Sequence, residues 1–256
     1  MKVLFLGDIV GKGGCEAVAR IVPQFKYKNK IDVVIANGEN SAEGNGILPS
    51  SAKDILSSSV DLITTGNHAL RRREIYEVMD DENSLVLRPD NFHKDAPGRG
   101  VITLDFIKYK LCVINLQGMV YMDNIKNPFE HVDEILEKVE TKNIIVDFHC
   151  EATSEKLAMG HYLKGRVSAV LGTHTHVPTA DERVFPEGTA YITDVGMCGG
   201  YNSILGVKTE NVLRRFKTNL PTRFESDKED CVLNGVIIEI DTKTGKAQSI
   251  ERVFLR

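Results

Sequence analysis

Five short apolar runs, each closing on a polar cluster, constrain this chain more than any other feature. Lys2 to Leu6 ends in Gly7-Asp8, Ile31 to Ala36 in Asn37-Gly38-Glu39-Asn40, and Asp61 to Thr65 in Gly66-Asn67-His68. Further on, Asn143 to Phe148 ends in His149, and Val167 to Leu171 in Gly172-Thr173-His174-Thr175-His176. Continuous apolar runs of this kind are the signature of parallel strands buried on both faces. Helical stretches are expected between them: from about Cys15, from Pro49 with Ile55 and Leu56 on one face, from Arg71 with Ile75, Val78 and Met79, from about Phe129 to Val139, and from Ser154 to Gly165. Such alternation reads as βαβ units, which gather functional groups at the C-terminal edge of the sheet. Val101 to Phe106 and Leu111 to Leu116 flank Lys108-Tyr109-Lys110 as an antiparallel hairpin, and Leu233 to Ile240 with Ser249 to Leu255 make another. The chain is therefore read as α/β with mixed pairing.

At 256 residues with no repeats, low-complexity tracts or linkers, residues 1–256 are expected to form a single domain. A net charge of −4 supplies no global field for nucleic acid. The five cysteines are odd in number and lack a C-x-x-C pair, which argues against a disulfide framework or zinc knuckle and leaves buried thiols. The opening Met1 to Leu6 is too short for a signal peptide's apolar region, and no stretch reaches membrane-spanning length, so a soluble cytoplasmic protein is expected.

Taken singly, each polar tip has an ordinary reading: Asp8 as a relative of a helix cap, His149 as a hydrogen-bonded strand end, His174 and His176 as loop residues. Collected at one edge, they form a ligand set: Asp8, Glu39, Asn40, Asn67, His149, His174 and His176, with His68 beside them. Two carboxylates, carboxamide oxygens and three imidazoles are too many donors for one ion and suit two, with mixed oxygen and nitrogen favouring Mn, Fe or Zn over Ca or Mg. Two divalent ions less Asp8 and Glu39 leave a formal charge of about +2; a bridging hydroxide lowers it to about +1, which a phosphodiester's single negative charge neutralises. A P-loop is excluded, because Gly7 to Gly11 is one residue short of the motif and Gly13 stands where Ser or Thr is needed after Lys12.

The tips Gly7-Asp8, Glu39, Gly66-Asn67-His68, His149 and Gly172-Thr173-His174-Thr175-His176 resemble, in order, the five blocks of the calcineurin-like metallophosphoesterases: D-x-H, G-D, G-N-H, H and G-H-x-H. Over essentially its whole length the chain also resembles the bacterial YmdB-type branch, through Gly7-Asp8-Ile9-Val10-Gly11, Asn37-Gly38-Glu39-Asn40 and Asp194-Val195-Gly196-Met197. It departs from the general pattern at Val10, which stands in place of the first block's His, at Glu39 in place of Asp, and at Gly172, displaced by one position from the residue before His174. Asn40 compensates for Val10 in the way the YmdB-type branch implies. The resemblance implies a four-layer α-β-β-α sandwich with two mixed sheets, one metal on Asp8, Asn40 and His176, a second on Asn67, His149 and His174, and Glu39 bridging. His68 would face the phosphate and stabilise its charge or protonate the leaving oxygen. The implied activity is hydrolysis of small phosphodiesters, 2′,3′-cyclic nucleotides such as 2′,3′-cyclic AMP, by attack of a metal-bridging hydroxide. Oligomers occur among such relatives, but this sequence does not specify one.

A phosphomonoesterase or nuclease would use the same residues, with the pocket walls, Phe92 to Arg99 and Met197 to Tyr201, deciding between them. A metal- or nucleotide-binding regulator is the non-enzymatic rival, and His68 argues against it, since pure binding needs no proton donor. An amidohydrolase barrel would carry its His-x-His on the first strand, not two-thirds along the chain. His93, His131 and His161 stay outside the expected site, and the Arg71-Arg72-Arg73 run reads more readily as a solvated cluster than as a phosphate clamp.

Overall fold

The computed structural model describes residues 1–256. In chain order its elements are β1 (Lys2–Leu6), β2 (Asp8–Ile9), α1 (Gly11–Asn29), β3 (Val33–Asn37), α2 (Pro49–Ser57), β4 (Leu62–Thr64), α3 (Tyr76–Asp80), β5 (Val101–Asp105), β6 (Lys110–Gln117), α4 (Pro128–Leu136), β7 (Ile144–His149), α5 (Thr153–Leu163), β8 (Ala169–Thr173), β9 (Arg183–Val184), β10 (Ala190–Ile192), β11 (Met197–Gly200), α6 (Thr209–Thr218), β12 (Cys231–Ile240) and β13 (Ala247–Leu255). One sheet runs β2-β11-β12-β1-β3-β4 with β13 on β12, the other β5-β6-β7-β8-β10-β9. Both are mixed: β1, β3 and β4 are parallel while β12 opposes β1, and β6, β7, β8 and β10 are parallel between antiparallel β5 and β9.

Alternation along each strand sorts the apolar side chains into layers. Val3, Phe5, Val33 and Ile35 of one sheet meet Val113, Ile145, Ala169 and Leu171 of the other in a core between the sheets. Their neighbours Leu4, Leu6, Val34 and Ala36 turn the opposite way, onto Val18 and Val22 of α1 and Ile55 of α2. Ile114, Val146, Phe148 and Val170 likewise pack outward against Val132 of α4 and Met159 and Leu163 of α5. Helix, sheet, sheet, helix: these are the four layers expected. Where both faces of a strand are covered the sequence cannot alternate in polarity, which is why the runs read as continuously apolar.

The inner face changes character toward the strands' C-terminal ends. Continuing the parity of Ile35 brings Asn37, that of Ile145 brings Asp147, and that of Leu171 brings Thr173, all fully buried. Asn37 Nδ2 donates to Asp147 Oδ2 at 3.1 Å, and Asn115 exchanges hydrogen bonds with the backbone of Thr65, so polar contacts tie the sheets together at this edge. The polar strand tips follow immediately.

Several elements differ from expectation. Asp8 and Ile9, just past the first apolar run, pair in parallel with Met197 and Cys198 of β11, a glycine-rich stretch that carries no strand signal of its own. The glycines serve close packing there rather than freedom: a Cβ on Gly7 would lie 2.0 Å from Gly196 O. Helix α1 starts at Gly11, earlier than expected, and Arg71 and Arg72 precede a 3₁₀ turn at Arg73–Ile75 instead of opening a helix. Helix α6 had no counterpart in the sequence reading; its one buried residue, Val212, leaves too narrow an apolar stripe to announce it. All five cysteines are free and buried. No helix is long and apolar enough to cross a membrane.

Candidate metal centre

All eight residues expected at the site converge on the edge shared by the two sheets. His149 Nε2, at the end of β7, lies 3.0 Å from Asn67 Oδ1, 3.2 Å from Glu39 Oε1 and 3.0 Å from His174 Nδ1. Ligand atoms about an ion bonded at about 2.1 Å stand about 3.0–3.4 Å apart in octahedral or tetrahedral arrays, so His149 Nε2 stands at ligand spacing from each of the other three atoms. The ligating atoms of Glu39, His149 and His174 all fall within 4.8 Å of one another. Gly66 permits this convergence: a Cβ there would sit 2.1 Å from the His149 ring.

The second group adjoins the first through Glu39. Asn40 Nδ2 is 3.2 Å from Glu39 Oε1 and 3.1 Å from His176 Nε2, while its carbonyl Oδ1 faces His68 Nδ1 at 2.8 Å. As an ion ligand Asn40 would present that carbonyl oxygen, and turning the amide over exchanges the two sets of neighbours. Asp8 is fully buried; its Oδ2 accepts the His174 backbone N–H at 3.1 Å, and its Oδ1 has no hydrogen-bond partner at all. A buried carboxylate oxygen without a donor calls for a cation.

The three imidazoles are prepared for coordination from behind. His149 Nδ1 is 2.9 Å from Thr173 Oγ1, which donates onward to Asp147 Oδ1 at 2.7 Å; His174 Nε2 is 3.0 Å from Glu151 Oε2; His176 Nδ1 is 3.1 Å from Leu205 O. With an ion bound, each far nitrogen would donate to its acceptor and leave the near nitrogen's lone pair for the ion. The backbone is held to suit, with His174 at φ 104° and His176 at φ 65°, both in the region that favours glycine. Asp194 pins this strained turn: its Oδ2 accepts Thr175 N–H at 3.0 Å and the ammonium of fully buried Lys156 at 2.6 Å. The sequence reading missed Asp147, Glu151, Lys156, Thr173 and Asp194. Asp147 left a signal, as an acid inside an otherwise apolar run, and Asp194 another, as the first residue of the Asp194-Val195-Gly196-Met197 stretch.

Burial would raise Glu39, but the His149 charge and hydrogen bond, together with His68, hold it down at about 2. Burial raises Asp8 to about 6 against the pull of His176 and His149. For His149 burial works against the charge, yet Glu39, Asp8 and Asp147 overcome it and lift the ring to about 9; His174 is driven down to about 3 by burial and by His149. At pH 7.5 His149 therefore keeps its added proton while the centre is metal-free. Metal loading at that pH should expel about one proton per chain, and affinity should rise up to about tenfold per pH unit until it levels off near pH 9. The raised value carries the opposite sign for the metal-free fold, whose stability from this group is complete below pH 6.5 and lost as pH climbs through about 9. Calorimetry in buffers of different ionisation enthalpy counts the protons; none released at pH 7.5 would contradict this charge arrangement.

Of the remaining histidines, His131 pairs with Asp90 at 2.7 Å, His161 stacks near Phe185 at 5.1 Å between centroids, and His93 is largely exposed; none reaches the centre.

Comparison with known proteins agrees with the geometry. Residues 4–253 match the family model described as YmdB-like protein. The chain is 47% identical over 257 residues to the 2′,3′-cyclic-nucleotide 2′-phosphodiesterase of Bacillus subtilis, covering 100% of this chain and 97% of that one. The crystal structure of a hypothetical protein from Thermus thermophilus superposes with a TM-score of 0.94 at 39% identity, covering 99% of this chain and 98% of that one. A 5′-nucleotidase structure from Staphylococcus aureus shares the fold alone, with a TM-score of 0.63 at 13% identity over 100% of this chain and 54% of its own. The edge-on cluster of carboxylates, carboxamides and imidazoles thus sits on a metallophosphoesterase fold, and the chain belongs to the YmdB-like family.

Proposed function

We propose that this protein is a metal-dependent phosphodiesterase acting on small phosphodiesters, with 2′,3′-cyclic nucleotides as its substrate class. The observation that carries the reading is the convergence of three imidazole rings, each with an acceptor behind its far nitrogen, on two buried carboxylates, one with an orphan oxygen. Asp8, Asn40 and His176 would hold one ion, Asn67, His149 and His174 a second, and Glu39, which reaches His149 and Asn40, would serve both groups. The mixed oxygen and nitrogen donors suit Mn or Fe, with Zn next. Bound there, such ions supply Lewis acidity toward phosphoryl oxygens and make water a nucleophile near neutral pH.

The chain's own residues supply orientation and proton transfer. His68 stands at the rim, its side chain 27% exposed, with its backbone N–H on Glu39 Oε2 at 3.1 Å and Nδ1 held by Asn40. Its Nε2 is the ring atom left for substrate, and since Nδ1 donates to Asn40 Oδ1, it is the imidazolium form that can donate from Nε2 to a phosphoryl oxygen or to the departing alkoxide. Burial lowers its pKa despite the nearby Glu39 charge, which eases release of that proton. The formal charge of the loaded centre matches a monoanionic diester better than a dianionic monoester. The relative from Bacillus subtilis, a 2′,3′-cyclic-nucleotide 2′-phosphodiesterase by name, supports the same class.

His68→Ala should lower kcat by roughly 10²- to 10⁴-fold, the usual contribution of a general acid, with bound metal unchanged. Steady-state kinetics beside metal analysis decides it: loss of metal would make His68 a structural residue, and an unaltered kcat would remove it from the chemistry.

A further inference from the structure

A cavity of about 710 Å³ opens beside the centre, with His68 in its wall, and its charge exceeds what a cyclic mononucleotide can use. Arg71, Arg72 and Arg223 line it together with Phe224 and Ser226, and Glu43 is the single acid among its lining residues. These groups come from three separate loops, so the cluster is made by the fold and not by one basic run. Arg73, next in sequence, is not part of the wall. The arginines that form ion pairs in this protein are Arg166, Arg252 and Arg256. Arg72 is braced through Nε, which donates to Asn45 O at 3.0 Å, leaving its terminal nitrogens without a partner. Phe224 is 49% exposed and lines the same cavity.

In a 2′,3′-cyclic mononucleotide the single negative charge is the scissile diester, which the metal centre holds. Nothing remains on that molecule for three guanidiniums, whose forked donors are shaped for phosphate oxygens. A ring at the edge of a basic groove is, in turn, a stacking platform for a base. Resting on the phosphodiesterase reading above, we propose that this cavity is a subsite for a second phosphate, so that the preferred substrate is a nucleoside 2′,3′-cyclic phosphate bearing a phosphate on its 5′ oxygen, free or esterified. Arg72 and Arg223 are its specificity-determining residues. Arg71 also lines the neighbouring cavity along Arg88–Arg99, which places it on the wall between the two.

The test is equilibrium binding by calorimetry to the Mn-loaded full chain, using adenosine 3′-phosphate, adenosine 3′,5′-bisphosphate and the dinucleotide ApAp. Wild type should bind at least one of the two longer ligands about tenfold or more tightly than adenosine 3′-phosphate, and Arg72→Gln/Arg223→Gln should remove that difference. A gain for the bisphosphate alone identifies a terminal phosphate, a gain for ApAp an esterified one; both support the subsite. Equal affinities in wild type, or a preference that survives the double substitution, would overturn it. Should adenosine 3′-phosphate fail to bind wild type, the cyclic-nucleotide reading fails instead. The subsite is then judged on the bisphosphate alone: arginine-dependent binding upholds it and none refutes it.

Discussion

Replacing Glu39 by Gln should leave a folded protein that neither retains its metal nor turns over substrate. The side chain is 1% exposed and touches both halves of the centre: Oε1 lies 3.2 Å from His149 Nε2 and 3.2 Å from Asn40 Nδ2, and Oε2 accepts the His68 backbone N–H at 3.1 Å. Gln keeps the volume but removes the one charge shared by the two groups of ligands, and its NH₂ would be aimed at atoms that need a cation. Removing one partner from a buried charged set costs about 3–5 kcal/mol, equivalent to roughly 10²- to 10⁴-fold in metal affinity. Metal content per chain after dialysis, circular dichroism and turnover check it together. Wild-type metal content and turnover in Glu39→Gln would remove Glu39 from the centre.

The second large effect lies behind the centre and falls on stability. Lys156 Nζ and Asp194 Oδ2 are 2.6 Å apart with side-chain exposures of 1% and 0%. Lys156→Met fills similar space but strands the Asp194 carboxylate in a dry interior, and about 3–5 kcal/mol of stability should be lost. Converting Asp194 to Asn in the same chain should restore part of that loss, since a neutral amide is less costly to bury unpaired. Denaturant midpoints of the two single variants and the double variant measure both effects. A Lys156→Met protein within about 1 kcal/mol of wild type would show that the pair is not a structural anchor. Because Asp194 also holds Thr175 N–H, between the two strained histidines, Asp194→Asn alone should weaken metal retention as well as the fold.

How far the sequence carried this account depends on whether a residue's role shows in its own local pattern. The strand tips were legible because doubly buried strands must be apolar throughout, so any acid, amide or imidazole ending one stands out. Asp8, Glu39, Asn67, His149 and His174 were found that way, and the alternation that sends Ile35 and Ile145 inward sends Asn37 and Asp147 to the same seam. Lys156 was illegible for the opposite reason. On a helix a lysine reads as a solvent-facing residue, and only the position of Asp194, 38 residues away, accounts for its burial. Glu151 had no signal either, being one more acid in a polar loop until His174 Nε2 is placed beside it. β11 leaves no sequence signal because Met197-Cys198-Gly199-Gly200 lacks strand propensity; its pairing with β2 and β12 overrides that preference. The arginine cavity needs three loops to be assembled before its charge can be counted.

The measurement that bears most directly on the central claim is hydrolysis of 2′,3′-cyclic AMP by the purified chain with Mn²⁺, beside protein stripped with EDTA and then reloaded. The account predicts turnover with metal, its loss on stripping and its return on reloading. Turnover indifferent to stripping, or none from protein verified to hold its metal, would contradict a metal-dependent phosphodiesterase for this nucleotide class.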